Sequence, residues 1–175
     1  VLDGAYFTLL EQRMPELLRR DREAMTAAIV GSCALKAAVV AADEREAGRR
    51  ALLNYGHTFG HALEAVTRFT RYTHGEAVAL GMEMAARLAV QLGMLSAADA
   101  ERQRALLQAA GLPVRLRGAA GFGTSELLAA MTHDKKVARG QVRFVLPRCL
   151  GSGEVVEDVP MSLVAAVCEA FLTED

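Results

Sequence analysis

Helical patterns run through most of this 175-residue chain, and they limit its fold more than any other feature. Apolar residues recur every three to four positions, which is the spacing that gives an α-helix one buried face. Pro15 lies inside the first patterned segment and predicts a break or kink there. Glycine, proline and capping residues divide the pattern into predicted helices at 5–20, 22–42, 49–69, 76–92, 96–110, 124–132 and 160–172.

One segment near the end of the chain has a different period. Val142, Phe144 and Leu146 alternate with polar residues, and Val155 and Val156 follow a Gly-Ser-Gly turn. Alternation with a period of two is typical of strands, so we expect a small β-hairpin. The sequence contains no GxGxxG motif, no P-loop and no βαβ alternation. It therefore predicts a mainly α, multi-helix fold with one short β-hairpin and a single domain over residues 1–175, which cannot by itself supply an ordinary dinucleotide site.

The charge, the most apolar stretch and the cysteines indicate which partners and which compartment to expect. The formal net charge is −1, so no basic excess favours nucleic acid or an anionic membrane, and we expect neither as a partner. The most apolar stretch, residues 24–42, has the length of a membrane span. It is rich in alanine and contains Lys36, which favours a buried helix instead. Cys33, Cys149 and Cys168 form no CxxC pair, which indicates reduced, buried thiols in a cytoplasmic protein.

Three of the four histidines fall within a short part of the chain. His57 and His61 are four residues apart, which places both imidazoles on one helix face, and His74 follows after a short connection. Imidazole is a common ligand of transition metals, so the cluster predicts a metal site with open positions, as in a catalytic zinc centre. The alternative is one satisfied core histidine and one surface histidine. The pair is not a zincin site, because Thr58 stands where HExxH requires glutamate, and His133 stands apart.

The predicted helix at 49–69 has an unusual polar face. At about 100° per residue, its polar side chains cluster within an arc of roughly 80°. They are Arg50, Asn54, His57, His61 and Glu64. Gly56 and Gly60 flank the histidines, although each costs about 1 kcal/mol of helix stability relative to alanine. Small residues there would let a ligand or another backbone approach closely, or would simply permit tight helix packing.

Four cations form a second candidate group: Lys36, Arg50, Lys135 and Lys136. Arginine can hold a carboxylate through two hydrogen bonds, and lysine can serve a phosphate as a point charge. Taken singly, each is more often a solvated charge, and Asp134 beside the two lysines could form an ordinary surface ion pair.

Several motifs in order resemble one enzyme family over nearly the whole chain. They are Lys-Ala-Ala-Val-Val at 36–40, Asp-Glu-Arg-Glu at 43–46 with Gly48 and Arg50, LNYGHTFGHALE at 53–64, HGEAVALGM at 74–82, MTHDKK at 131–136 and RFVLP at 143–147. This series resembles the C-terminal half of 3-dehydroquinate synthase, and so implies that family's helical C-terminal fold.

The resemblance implies an enzyme of the shikimate pathway of aromatic amino acid biosynthesis. Family members convert 3-deoxy-D-arabino-heptulosonate 7-phosphate to 3-dehydroquinate and phosphate. They use bound NAD catalytically together with a divalent metal, usually zinc, with cobalt as an alternative. Oxidation of a hydroxyl acidifies the neighbouring proton and permits phosphate elimination, after which reduction, ring opening and an aldol step follow. A homodimer in the cytoplasm is also implied.

The resemblance also assigns roles to individual residues. His57 and His74 match the metal ligands, and Lys36 and Arg50 match the residues that hold the substrate carboxylate. The phosphate site is implied to contain Asn54, His61 and one or both of Lys135 and Lys136, between which the motif does not decide. Glu46 lines the same pocket, and it and His61 are the expected catalytic residues.

The chain departs from the family pattern at its start. A glutamate that completes the metal site, a nearby lysine and the whole NAD-binding N-terminal half match positions before Val1. We therefore expect a fragment of a two-domain enzyme, with the N-terminal domain of the same gene product as its partner. The isolated chain is expected to lack synthase activity, to bind NAD poorly and to bind metal weakly.

Three other readings remain open. A related sugar phosphate cyclase, of the 2-deoxy-scyllo-inosose or epi-valiolone synthase type, would act on a different phosphorylated sugar, and only a substrate with a carboxylate needs Lys36 and Arg50. A metal-dependent alcohol dehydrogenase is a more distant relative with a similar two-domain plan. The third reading is a stable helical module without catalytic function.

Overall fold

The computed structural model of the chain describes residues 2–43, 48–133 and 142–174. A short 3-10 helix at Arg49–Asn54 precedes α3. The other elements in these ranges are α1 (Gly4–Leu18), α2 (Arg22–Ala42), α3 (His57–Val66), α4 (His74–Gln91), α5 (Ala97–Ala109), α6 (Thr124–His133), β1 (Phe144–Cys149), β2 (Ser152–Val156) and α7 (Met161–Thr173). This confirms the predicted mainly α fold with one short β-hairpin.

Capping residues fix where the first helices begin. Asp3 accepts a hydrogen bond from the Tyr6 backbone N–H at 2.7 Å, and Asp21 accepts one from Ala24 at 2.9 Å. Both satisfy donors that a helix start leaves without intrahelical partners. Pro15 lies inside α1 and does not break it at that position, since the helix continues to Leu18. Pro15 has no N–H to donate to the carbonyl of Glu11, and the helix ends one turn later.

The structure divides the segment at 49–69, for which the sequence predicts one continuous helix. Gly56 has a φ of 78°, in the left-handed region, and separates the 3-10 helix from α3. A Cβ atom at Gly56 would lie 2.7 Å from the Val78 carbonyl oxygen of α4, so glycine is required both by conformation and by packing. The calculated polar arc is therefore wrong for Arg50 and Asn54, which precede α3.

Helices α3 and α4 pack with their backbones in close contact. A Cβ at Gly60 would lie 3.1 Å from the Ala77 carbonyl oxygen, and one at Gly81 would lie 2.7 Å from Gly60 N. The glycines on both helices thus serve helix packing, which was one of the two sequence interpretations. The main hydrophobic core is built on this pair, with fully buried side chains that include Phe59, Leu63, Leu80, Met84 and Leu88.

The hairpin lies where the alternating pattern predicts it. Strands β1 and β2 are antiparallel, with Phe144 opposite Val156, and an irregularity between Pro147 and Cys149 precedes the turn. Phe144 is buried, and its ring centroid lies 5.3 Å from that of Phe59 on α3. The hairpin therefore covers the helix that carries two of the candidate histidines.

The expectation that α2 is a buried helix is wrong for the described chain. Only Ala24 and Val39 of this helix are buried, and Met25, Ile29 and Val30 are exposed. The helix packs against α1 through the Tyr6 hydroxyl, which donates to the Ala28 carbonyl at 2.7 Å, and it also contacts the 3-10 helix. Its outer face has no such cover. By length and composition α2 could cross a membrane, but ordinary core helices and signal sequences pass the same test.

The cysteines are free, but only one of them is buried. Cys168 lies in the core face of α7, and burial raises the pKa of its thiol to about 12. Cys33 and Cys149 are exposed, contrary to expectation. The reason is their position, since Cys33 lies on the poorly covered α2 and Cys149 lies at the end of β1.

Candidate metal centre

Three imidazole rings meet where α3 and α4 begin. His57 is the first residue of α3, His61 follows one turn later, and His74 is the first residue of α4. The ring centroids are 5.3 Å apart for His57 and His61, 5.4 Å for His57 and His74, and 5.9 Å for His61 and His74. One ligand nitrogen from each ring lies within 4.8 Å of the others. Imidazoles at this separation can turn toward a common ion, so the three rings form a candidate transition-metal site.

The structure thus brings His61 within 5.9 Å of both other rings, which are themselves 5.4 Å apart. Sequence reasoning assigned His57 and His74 to the metal and placed His61 at the phosphate. The location of His61 is compatible with both roles, metal ligand and phosphate contact, because His61 also lines the adjoining cavity. The geometry offers three nitrogen ligands, as the cluster of three histidines predicted, where the family resemblance implied two.

Local interactions hold the start of α4, and with it His74. The side chain of Thr73 accepts a hydrogen bond from the Glu76 backbone, and the Glu76 carboxylate accepts one from the Thr73 backbone N–H at 2.9 Å, forming a capping box. Arg117 forms an ion pair with Glu76. The hydrogen bonds from Thr73, with Arg117 beside them, hold the pKa of Glu76 below its ordinary value.

The connection between α3 and α4 is also tied to a distant loop. The Arg71 guanidinium donates to the Ala120 carbonyl oxygen at 2.7 Å and to the Ala119 carbonyl oxygen at 2.8 Å. The Tyr72 hydroxyl accepts a hydrogen bond from the Arg117 backbone N–H at 3.0 Å. These contacts fix the path by which α4 returns to the first two histidines.

His57 and His74 each have a hydrogen-bond partner at Nδ1. The Nδ1 atom of His57 lies 3.2 Å from the Tyr55 carbonyl oxygen. The Nδ1 atom of His74 lies 3.1 Å from the carboxylate of Glu64, whose side chain is only 9% exposed. Metal-binding histidines usually have such partners on the nitrogen that does not bind the ion. The sequence placed Glu64 on the polar face but gave it no role, although its position one turn after His61 was a usable signal.

A cavity adjoins the histidines on the side of the hairpin. Asn54, His57 and His61 line it together with Arg143 and Phe144. Thr58 donates a hydrogen bond to the Arg143 carbonyl oxygen at 3.2 Å, which ties the residues before β1 to α3. Arg143 is a cation that sequence reasoning did not select, although it opens the last of the matching motifs.

The remaining predicted site residues have different outcomes. Lys36 lines a second, mainly apolar cavity of about 450 Å³ between α1, α2, α5 and the hairpin, and not the cavity that contains the histidines. Arg50 donates its backbone N–H to the Asp43 carboxylate at 2.9 Å. Glu46, Lys135 and Lys136 lie outside the described residues, as does the side chain of His133. The described part of the chain therefore brings together Asn54 and the three histidines.

Comparisons with known proteins match this fold. The family model described as 3-dehydroquinate synthase C-terminal matches residues 1–137. The structure of 2-epi-5-epi-valiolone synthase from Streptomyces hygroscopicus subsp. jinggangensis 5008, with NAD⁺ and Zn²⁺ bound, superposes with a TM-score of 0.82 at 26% identity. That match covers 95% of this chain and 46% of the synthase.

Two structures of 2-deoxy-scyllo-inosose synthase share the fold at lower identity. One, complexed with carbaglucose-6-phosphate, NAD⁺ and Co²⁺, is 24% identical with a TM-score of 0.66 and covers 79% of this chain and 40% of its own. The other is 23% identical with a TM-score of 0.65 and covers 79% and 38%. The present chain thus spans less than half the length of these similar proteins.

Proposed function

The chain belongs to the 3-dehydroquinate synthase C-terminal family, and on this premise we propose that it is the metal- and substrate-binding part of a sugar phosphate cyclase. The specific reaction that we propose is 3-dehydroquinate synthase, which converts 3-deoxy-D-arabino-heptulosonate 7-phosphate to 3-dehydroquinate and phosphate. The motifs support it, because they follow that family in order along nearly the whole chain.

The observation that carries the proposal is the meeting of three imidazoles at the start of α3 and α4. In the proposed site, His57 and His74 hold a divalent ion, zinc or cobalt, and each has a hydrogen-bond partner on Nδ1 that leaves Nε2 for the ion. A metal bound there would polarise substrate hydroxyl groups for oxidation.

The other side chains hold the substrate in this proposal. Asn54 and His61 line the cavity beside the metal ligands, where they would bind the phosphate. Arg143 lines the same cavity and adds a positive charge that suits an anionic group. By the motif match, one or both of Lys135 and Lys136 join the phosphate site, and Glu46 and His61 are the proposed catalytic residues. Lys36 and Arg50 would hold the substrate carboxylate.

Binding of the proposed cofactor NAD requires a domain outside residues 1–175. The described residues contain a two-stranded antiparallel sheet and no parallel βαβ unit among them, so they offer no ordinary dinucleotide site. We propose that residues 1–175 form one domain, which works with an NAD-binding N-terminal domain of the same gene product in a cytoplasmic homodimer. The similarity to a synthase with NAD⁺ bound, of which the match covers 46%, supports the proposal that another part of the protein binds NAD.

A second candidate is a cyclase for a sugar phosphate that lacks a carboxylate. The similarity to 2-epi-5-epi-valiolone synthase over 95% of this chain favours it. So does the position of Lys36, because a lysine in a separate apolar cavity gives no structural support for a carboxylate site beside the histidines. The two candidates share the metal centre and differ in the substrate.

Phosphate release by the longer gene product tests both candidates. With NAD and zinc supplied, we expect turnover of 3-deoxy-D-arabino-heptulosonate 7-phosphate and none of sugar phosphates without a carboxylate. We expect Arg50→Met to raise KM for the acid substrate, and His57→Ala to abolish turnover. Turnover of a neutral sugar phosphate alone would select the second candidate. Turnover by the isolated 175-residue chain would contradict the proposal that a second domain is needed to bind NAD.

A further inference from the structure

Glu64 is a carboxylate in a place where a carboxylate is costly. It lies on α3 directly after Ala62 and Leu63, which are fully buried in the main core, and its own side chain is 9% exposed. Removing an ionised carboxylate from water costs several kcal/mol unless a partner compensates. The structure provides a partner in His74, whose Nδ1 atom lies 3.1 Å from Glu64 Oε1.

The contact restricts the chemistry of the His74 ring. An ionised carboxylate can only accept hydrogen bonds, so a neutral imidazole beside it must carry its proton on Nδ1. Its lone pair is then on Nε2, the nitrogen left for a metal ion. Without such a contact, an imidazole can place its proton on either nitrogen.

The orientation of the His74 ring depends on its Nδ1 contact more than the orientation of the His57 ring depends on its own. Its side chain is 58% exposed, so packing leaves much of the ring unconfined. His57 is half-buried, and its Nδ1 lies 3.2 Å from a backbone carbonyl, that of Tyr55. Glu64 is thus the side chain whose removal would release one ring of the cluster while α3 and α4 keep their own packing contacts.

We propose that Glu64 is a positioning residue of the metal centre, which holds His74 in the Nδ1–H tautomer with Nε2 available to the ion. This inference rests on the proposed function, because it assumes that the histidine cluster binds a metal. It deepens that function by explaining why a buried acid faces an exposed imidazole across the start of α4. A purely structural role for Glu64 would affect folding but not the His74 tautomer.

The test uses the 175-residue chain with Glu64→Ala and Glu64→Gln. Long-range ¹H–¹⁵N spectra of the metal-free proteins report the tautomer of each histidine ring. We expect His74 to be the Nδ1–H form in the wild type and a mixture in Glu64→Ala. The glutamine variant should retain the Nδ1–H form, because its amide oxygen also accepts a hydrogen bond. If the alanine variant does not fold, the glutamine variant decides through its metal affinity, which should fall measurably because a neutral amide oxygen holds the ring less strongly than a carboxylate.

Cobalt affinity is the second readout, measured by absorption titration against a competing chelator. We expect Co²⁺ affinity to fall by about 10- to 100-fold in Glu64→Ala and by less in Glu64→Gln, as for other partners of metal-binding histidines. Glu83→Gln is the matched control. Glu83 is also buried on a core helix, but it pairs with Arg87 and Arg104, so its variant should keep wild-type affinity.

The possible failures can be told apart. If the wild type binds Co²⁺ and both Glu64 variants bind it equally well, the inference about Glu64 is wrong while the metal centre stands. A drop in affinity as large for Glu83→Gln as for Glu64→Gln would also overturn it, because the effect would then reflect general loss of a buried charge. If the wild-type chain binds no Co²⁺, the proposed metal centre fails and the inference fails with it.

Discussion

The contact between α3 and α4 can be tested by adding one methyl group at a time. Gly81 lies inside α4, where a Cβ would meet Gly60 N at 2.7 Å and Gly56 O at a still shorter distance. Both atoms belong to the backbone, so no side-chain rotation can relieve the overlap. Replacing glycine by alanine inside a helix normally gains about 1 kcal/mol. Overpacking a core costs about 1–3 kcal/mol or more. At Gly81 the cost should exceed the gain.

Two further glycines calibrate the experiment. At Gly75, also in α4, an added Cβ would have no atom within 4 Å, so Gly75→Ala should stabilise the chain by up to about 1 kcal/mol. At Gly60, the added Cβ would lie 3.1 Å from the Ala77 carbonyl oxygen, so gain and cost should nearly cancel. For Gly81→Ala we expect a net loss of about 2 kcal/mol and a Tm lower by about 4–8 °C.

Urea and thermal unfolding followed by circular dichroism measure these differences, and Co²⁺ titration measures their effect on the site. Because His74 lies on α4 while His57 and His61 lie on α3, separating the helices should also weaken Co²⁺ binding. Gly75→Ala should leave the backbone contact unchanged. The packing argument is refuted if Gly81→Ala is as stable as Gly75→Ala.

Three other predictions follow from individual residues. Cys168 is buried and burial raises its pKa to about 12, so a thiol reagent at pH 8 should label the two exposed cysteines of the native chain and reach Cys168 only after unfolding. Arg87 lowers the pKa of Glu174, whose ordinary value is 4.5, so this pair should stabilise the chain at neutral pH and lose that effect as the pH falls below about 4.5. Glu174→Gln should therefore flatten the acid limb of a stability–pH curve, and an unchanged limb would contradict the pairing. Zinc titration by calorimetry should show that His57→Ala and His74→Ala each weaken zinc binding. A variant that binds zinc as tightly as the wild type would show that its histidine is not a metal ligand.

The elements that the sequence predicts well are those set by local pattern. The hairpin at β1 and β2 was visible because alternation acts over a few residues, although the turn lies at Leu150 and Gly151 and the following Ser152 and Gly153 belong to β2. The start of α5 follows from Ser96, a capping residue beside a helical pattern, whereas α4 begins at His74, two residues before the predicted start. The proximity of His57 and His61 is likewise a consequence of helical spacing alone.

The features that the sequence could not predict depend on contacts between distant segments. Gly56 has a left-handed conformation at the break and no room for a Cβ beside Val78 of α4, and nothing within residues 49–69 shows that neighbour. The exposure of α2 depends on what packs against it, because an apolar face requires cover but does not identify it. The role of Glu64 required the knowledge that α4 returns to α3 at His74.

Packing of α3 against α4 and metal binding should be coupled, since the same two helices carry both. A ligand that binds only the folded chain adds RT ln(1 + [L]/Kd) to its stability, about 2.7 kcal/mol at one hundred times Kd. This is similar to the loss expected in Gly81→Ala. Saturating Co²⁺ should therefore raise the Tm of that variant toward that of the metal-free wild type.

The rescue should need more Co²⁺ than the wild type needs for saturation, because the methyl group that forces the helices apart also separates His74 from His57 and His61. A variant destabilised elsewhere in the core, such as Leu127→Ala in α6, should be stabilised at the wild-type Co²⁺ concentration, because its histidine cluster is unchanged.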